Sequence, residues 1–79
     1  MAQGLCLRAL RVNQKACVRA ILADGELGRR IRDLGIVPGT EVTVVGRAPL
    51  RDPVALRLRD FTLTMRNSEA DHILVDTED

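Results

Sequence analysis

A chain of 79 residues has room for one domain and a thin core, burying only about 60% of the surface its unfolded form exposes. Hydrophobic residues make up 46% and aromatics 1%, which argues against the ring-rich surfaces that stack single-stranded nucleic acid. The net charge is +1, yet all 12 Lys and Arg residues lie at or before Arg66, while the last 13 residues hold five acids and no Lys or Arg.

In chain order, Ala16, Val18, Ala20 and Leu22 alternate with Lys15 and Arg19 in a two-residue period, predicting a strand from Lys15 to Leu22 with one buried face. Asp24 is placed to cap a helix with Glu26 in its first turn, where an acid suits the free N–H groups. Leu27, Ile31 and Leu34 then form one apolar stripe, with Arg29, Arg30 and Arg32 on other faces. Gly35 suits a left-handed helix end. Pro38-Gly39 predicts a type II turn, since proline presets the first central φ and glycine accepts the positive second one.

A second strand follows from Glu41 to Arg47, with Val42 and Val44 inward. The segment Arg47-Ala48-Pro49-Leu50-Arg51-Asp52-Pro53 is predicted as a loop, because its prolines are poor strand formers. Val54, Leu56 and Leu58, then Phe61, Leu63 and Met65, alternate on either side of a tight turn at Arg59-Asp60, predicting a hairpin. Asn67 or Ser68 can cap a helical turn through Asp71, and Ile73 to Val75 makes a last short strand. The sum is a mainly β fold of five short strands, with one α-helix between the first two strands and a short helical turn before the last. Closing such a sheet removes exposed edges, which favours a small SH3-like barrel. Its expected core is Val18, Leu27, Ile31, Leu34, Val42, Val44, Leu56, Leu58, Phe61, Leu63, Met65 and Ile73.

The stretch Arg29-Arg30-Ile31-Arg32-Asp33-Leu34-Gly35-Ile36-Val37-Pro38-Gly39-Thr40-Glu41-Val42 resembles the FeoA signature, in which a helix ends in Leu-Gly before a Pro-Gly turn and a strand. Leu34, Gly35, Pro38 and Gly39 are its structural motif. The loop from Arg47 to Pro53 is similar to the family's Ala-Pro-Leu-x-Asp-Pro connection, and Asn67-Ser68-Glu69-Ala70 with Ile73 and Val75 to its closing segment. Leu7, Leu10 and Gln14 match its opening, so the likeness covers about Leu7 to Val75. Asn13 and Asp60 stand where the family often has glycine; both residue types tolerate positive φ.

The resemblance implies a single FeoA-like domain over residues 1–79, with a core of about 7–75 and an acidic tail at 76–79. It further implies a non-enzymatic, cytoplasmic accessory of bacterial ferrous iron uptake that binds the FeoB transporter at its cytosolic GTP-binding part. Transition-metal binding comes only at the level of the family. Two alternatives stand beside this: a small SH3-like RNA-binding module, and a stand-alone relative of the C-terminal domain of iron-dependent transcription regulators. The second is disfavoured because no winged helix precedes the barrel.

Independent of family, the residues offer little chemistry. No G-x-x-x-x-G-K-S/T phosphate loop is present, and Gly25-Glu26-Leu27-Gly28 has the wrong spacing to replace it. The one histidine, His72, opens a strand, and Glu69 and Asp71 fit a helical cap better than acid–base catalysis. Cys6 and Cys17 are too few for a disulfide framework and are expected as thiols in a reducing cytosol. With His72 they supply at most three ligands from three segments, so no metal site, catalytic residue, cofactor or small-molecule substrate is expected. No leader and no apolar run of roughly 18 to 20 residues is seen, so any membrane role is expected through the partner.

Arg57, Arg59 and Arg66 are expected on one outer hairpin face near Arg47, where they could grip phosphate; few aromatics and a balanced charge disfavour nucleic acid. The better partner-binding candidate is the loop, with Arg47, Pro49, Leu50, Arg51, Asp52 and Pro53, assisted by Arg57 and Arg59. Leu50 has two readings here. It projects as a contact, or it folds back to plug the barrel.

Overall fold

The structure is a computed structural model that describes residues 5–77. Strand β1 (Leu5–Cys6) runs into a 3-10 turn at Leu7–Ala9, followed by β2 (Lys15–Ile21), helix α1 (Gly25–Asp33) and β3 (Glu41–Arg47). The hairpin strands β4 (Val54–Arg57) and β5 (Thr62–Met65), the short helix α2 (Asn67–Ala70) and β6 (Ile73–Thr77) complete the chain. All strand pairs are antiparallel, in the order β1-β6-β2-β3-β4-β5. Leu7 beside β1 and Met65 on β5 belong to the same buried cluster. A sheet whose two ends share one core must curl around it, which gives the expected mainly β class.

Alternation places Val42 and Val44 of β3 and Val54 and Leu56 of β4 wholly inside, as the two-residue period requires. Ile31 of α1 is wholly buried, while Leu27 and Leu34 pack against the core from its edge. Each wholly buried leucine or isoleucine contributes on the order of 1.5–3 kcal/mol through apolar burial.

Four expectations need correction. Six strands form rather than five, because Leu5 and Cys6 pair with Val75 and Leu74, and two residues are too short a run to show a period. The first long strand ends at Ile21: a register shift between Val18 and Ala20 turns Ile21 toward the core and leaves Leu22 exposed. The last strand continues through Asp76 and Thr77, which pair with Cys17 and Ala16 and so are not tail; Glu78 and Asp79 lie outside the described residues. Phe61 is 48% exposed: it lies in the hairpin turn just before β5 begins at Thr62, outside the strand alternation, with its carbonyl accepting the Leu58 N–H at 2.8 Å. The core also takes in Leu7, Leu10 and Ile36, which the strand and helix periods did not mark.

The helix exit forms as anticipated. Gly35 and Gly39 both take φ of +97°, and Thr40 N–H donates to the Val37 carbonyl at 3.0 Å across Pro38-Gly39. Asp24 holds the N-cap position of α1 without a side-chain hydrogen bond, so its capping role is not realised. Asn13 carries positive φ, as does Arg51, whereas Asp60 does not.

Candidate functional site

Two surfaces stand out, at opposite ends of the β3–β4 pair. The first is the connection between them. Its prolines and Arg51, at φ +67°, prevent continuation of the ladder, and the turn is closed by Arg51 N–H to Ala48 O at 2.7 Å and Ala48 N–H to Pro53 O at 3.1 Å. Asp52 accepts the first N–H of α2, from Asn67, at 2.9 Å. Asn67 in turn donates its side-chain amide to the Arg51 carbonyl at 2.9 Å. The loop and α2 therefore cap each other, which fills orphan groups on both. The residue expected to cap α2 from within instead fastens the loop.

Arg47 turns inward, a correction to its expected place among the outer arginines. Its Nη2 donates to the carbonyls of Arg8 and Leu10, each at 2.7 Å, and its Nη1 reaches Asn67 Oδ1 at 3.5 Å. Burial lowers its pKa from the ordinary arginine value, with Arg51 and Arg8 adding like-charge repulsion. Such a site is tolerated because guanidinium presents several donors in one plane. What remains outward on this loop is Pro49, Leu50 and Arg51, with Asp52 and Pro53 half-buried. Leu50 is 89% exposed, so it does not plug the barrel.

The second surface is a groove of about 670 Å³ at the other end, between the Pro38-Gly39 turn and the β4–β5 hairpin tip. Val37, Pro38 and Phe61 line it with Lys15, Arg57 and Arg59. Arg57 and Arg59, expected to assist the loop, thus belong to a different surface. The register explains the separation: Arg47 pairs with Val54, and Arg57 with Thr43, so the two arginines sit at opposite ends of the ladder. The one signal for this groove in the sequence was Phe61, the single Phe, Tyr or Trp; only the fold brings it beside the Pro38-Gly39 turn.

Cys6 and Cys17 are half-buried free thiols, and His72 is half-buried with its backbone engaged by Glu69 and Leu22. Among the described residues, no three His, Cys, Asp or Glu side chains gather as metal ligands would. No helix among them is long and apolar enough to cross a membrane.

The FeoA domain model matches residues 5–77. The chain is 36% identical over 70 residues to a Fe(2+) transport protein A/Fe(2+) transporter FeoB fusion protein of Porphyromonas gingivalis, covering 89% of this chain and 8% of that protein. It therefore spans a small fraction of that relative's length. An FeoA-like protein from Clostridium acetobutylicum superposes with a TM-score of 0.92 at 42% identity, over 99% of this chain and 91% of the other. FeoA of Stenotrophomonas maltophilia, a prokaryotic SH3 domain protein solved with zinc, superposes at 0.78 and 30% identity, over 95% and 91%. A manganese-dependent transcriptional repressor shares the fold at 20% identity and a TM-score of 0.86, over 98% of this chain and 43% of the repressor.

Proposed function

Because the chain belongs to the FeoA family, a family of ferrous iron transport proteins, we propose that it is a cytosolic, non-enzymatic accessory of iron uptake that binds a FeoB-type transporter. The contact is made with the transporter's cytosolic GTP-binding part through the loop from Arg47 to Pro53. The observation that carries this reading is Leu50, 89% exposed at the tip of a loop fastened by Asp52, Asn67 and Arg47. A large apolar side chain displayed on a rigid frame, with Arg51 beside it, has the make-up of an interface anchor inside a polar rim. Because the loop is already held, little conformational entropy is lost on docking. The choice of partner is supported by the Porphyromonas gingivalis relative, whose name joins a transport protein A and a FeoB in one polypeptide.

The test is a calorimetric titration of the full chain, wild type and Leu50→Asp, against the cytosolic part of a FeoB-type transporter. Burying a leucine is worth about 1.5–3 kcal/mol, so the substitution is expected to weaken binding about tenfold or more. Its melting temperature stays nearly unchanged, since a substitution at so exposed a site falls within about 0.5 kcal/mol. Equal binding by both proteins removes the loop from the account. Absence of binding by the wild type removes the partner.

A further inference from the structure

We propose that the groove between the Pro38-Gly39 turn and the hairpin tip is a second docking site, taking an extended acidic segment of a partner polypeptide with an apolar side chain between its acids. The proposal stands apart from the Leu50 loop, which lies at the opposite end of the β3–β4 ladder.

Three observations select this occupant. The first is an apolar floor open to solvent: Phe61 is 48% exposed and Val37 42%, with Pro38 beside them. Phe61 is the only Phe, Tyr or Trp in the chain, and it sits in the hairpin turn, where its carbonyl accepts the Leu58 N–H. An exposed apolar patch that the fold itself creates, in a groove with charged walls, marks an interaction site.

The second is unbalanced charge. Lys15, Arg57 and Arg59 line the groove against one acid, Glu41. Among the described residues the ion pairs are Arg8–Asp71, Arg19–Asp76 and Arg30–Glu69, so none of the three groove cations is matched internally. Their charge is available to an anionic ligand.

The third is spacing. Lys15 pairs with Thr43, and Thr43 with Arg57, so the backbones carrying the two cations stand two strand spacings apart, roughly 10 Å. Two acids four residues apart in an extended segment lie on the same face and span roughly 13 Å at about 3.3 Å per residue, a difference that the long, flexible Lys15 and Arg57 side chains take up. The residue midway between them shares that face, so an apolar side chain there is presented to the groove that Phe61 and Val37 line. A nucleic acid fits less well, because one ring offers a single stacking platform where successive bases need several.

The test uses the isotopically labelled full chain and a synthetic ten-residue peptide with a leucine midway between glutamates four residues apart. Beside it run the same peptide with lysines in place of the glutamates, and a mixed-sequence single-stranded RNA. The glutamate peptide is expected to shift the amide signals of Val37, Gly39, Thr40 and Phe61 saturably, and the lysine peptide to leave them in place. The double substitution R57E/R59E, with an unchanged melting curve, is expected to weaken binding about tenfold or more. The proposal is overturned if the glutamate peptide leaves the groove signals unmoved, or moves only those of residues 48–53. It is equally overturned if the RNA moves the groove signals and the peptide does not.

Discussion

The two ends of the β3–β4 ladder both display arginines beside proline-containing turns, yet they are built in opposite ways. At the loop end, Arg47 is committed to the carbonyls of Arg8 and Leu10, and Asp52 and Asn67 brace the turn. At the groove end, Arg57 and Arg59 meet no carboxylate among the described residues, and the shape depends on glycine backbone at Gly35 and Gly39. One cation type thus serves as internal fastening in one place and as free charge in the other. What separates them is the supply of unpaired carbonyls: the 3-10 turn at Leu7–Ala9 offers acceptors within reach of Arg47. Carbonyls that would be orphaned on burial are good partners for a guanidinium.

That contrast can be broken by substitution. Arg47→Ala carries the largest expected effect, a loss of about 3 kcal/mol in urea denaturation, since it strips a charged donor from two carbonyls. Arg47→Lys is expected to recover only part of this, because an ammonium lacks the planar fork. If Arg47→Ala unfolds at the wild-type midpoint, the arginine is an outer residue after all and the contrast disappears.

Gly39→Ala probes the other end. At φ +97° a Cβ is strained even though nothing stands within 4 Å of it, so a loss of about 1–2 kcal/mol is expected from backbone alone. A stabilised variant would mean the turn relaxes to another type. Asp52→Ala is expected to cost about 1 kcal/mol, the usual worth of a helix N-terminal acceptor. It should also speed amide exchange over residues 48–53 while leaving Thr40 and Phe61 unaffected. Exchange that rises equally at both ends would show that the two surfaces are coupled rather than independent.

The helix stripe around Ile31, the Val42–Val44 and Val54–Leu56 alternation and the Pro38-Gly39 turn were all legible in the sequence. Each rests on contacts within one turn or one strand, where residue order dictates which face an atom takes. The family likeness was legible for the same reason, since its motif sits at the helix exit and the turns. The candidate sites were legible only as segments. Leu50 had both an inside and an outside reading and Phe61 was expected in the core, because periodicity distinguishes faces without saying where a strand ends.

The outcome at those positions was decided by tertiary structure. Phe61 is outside because it sits in the hairpin turn rather than on β5, while Leu7, Leu10 and Ile36 join the core. Leu50 is outside because Asn67 and Asp52 hold the loop away from the barrel interior. Arg47 is folded back and half-buried because the chain near Arg8, 39 residues earlier, brings two carbonyls to it. The sequence by itself determined the local periods, the turn chemistry and the inventory of charges. Which charges are satisfied internally and which are left to meet a partner depends on carbonyls and carboxylates contributed from distant segments, and only the folded chain brings those together.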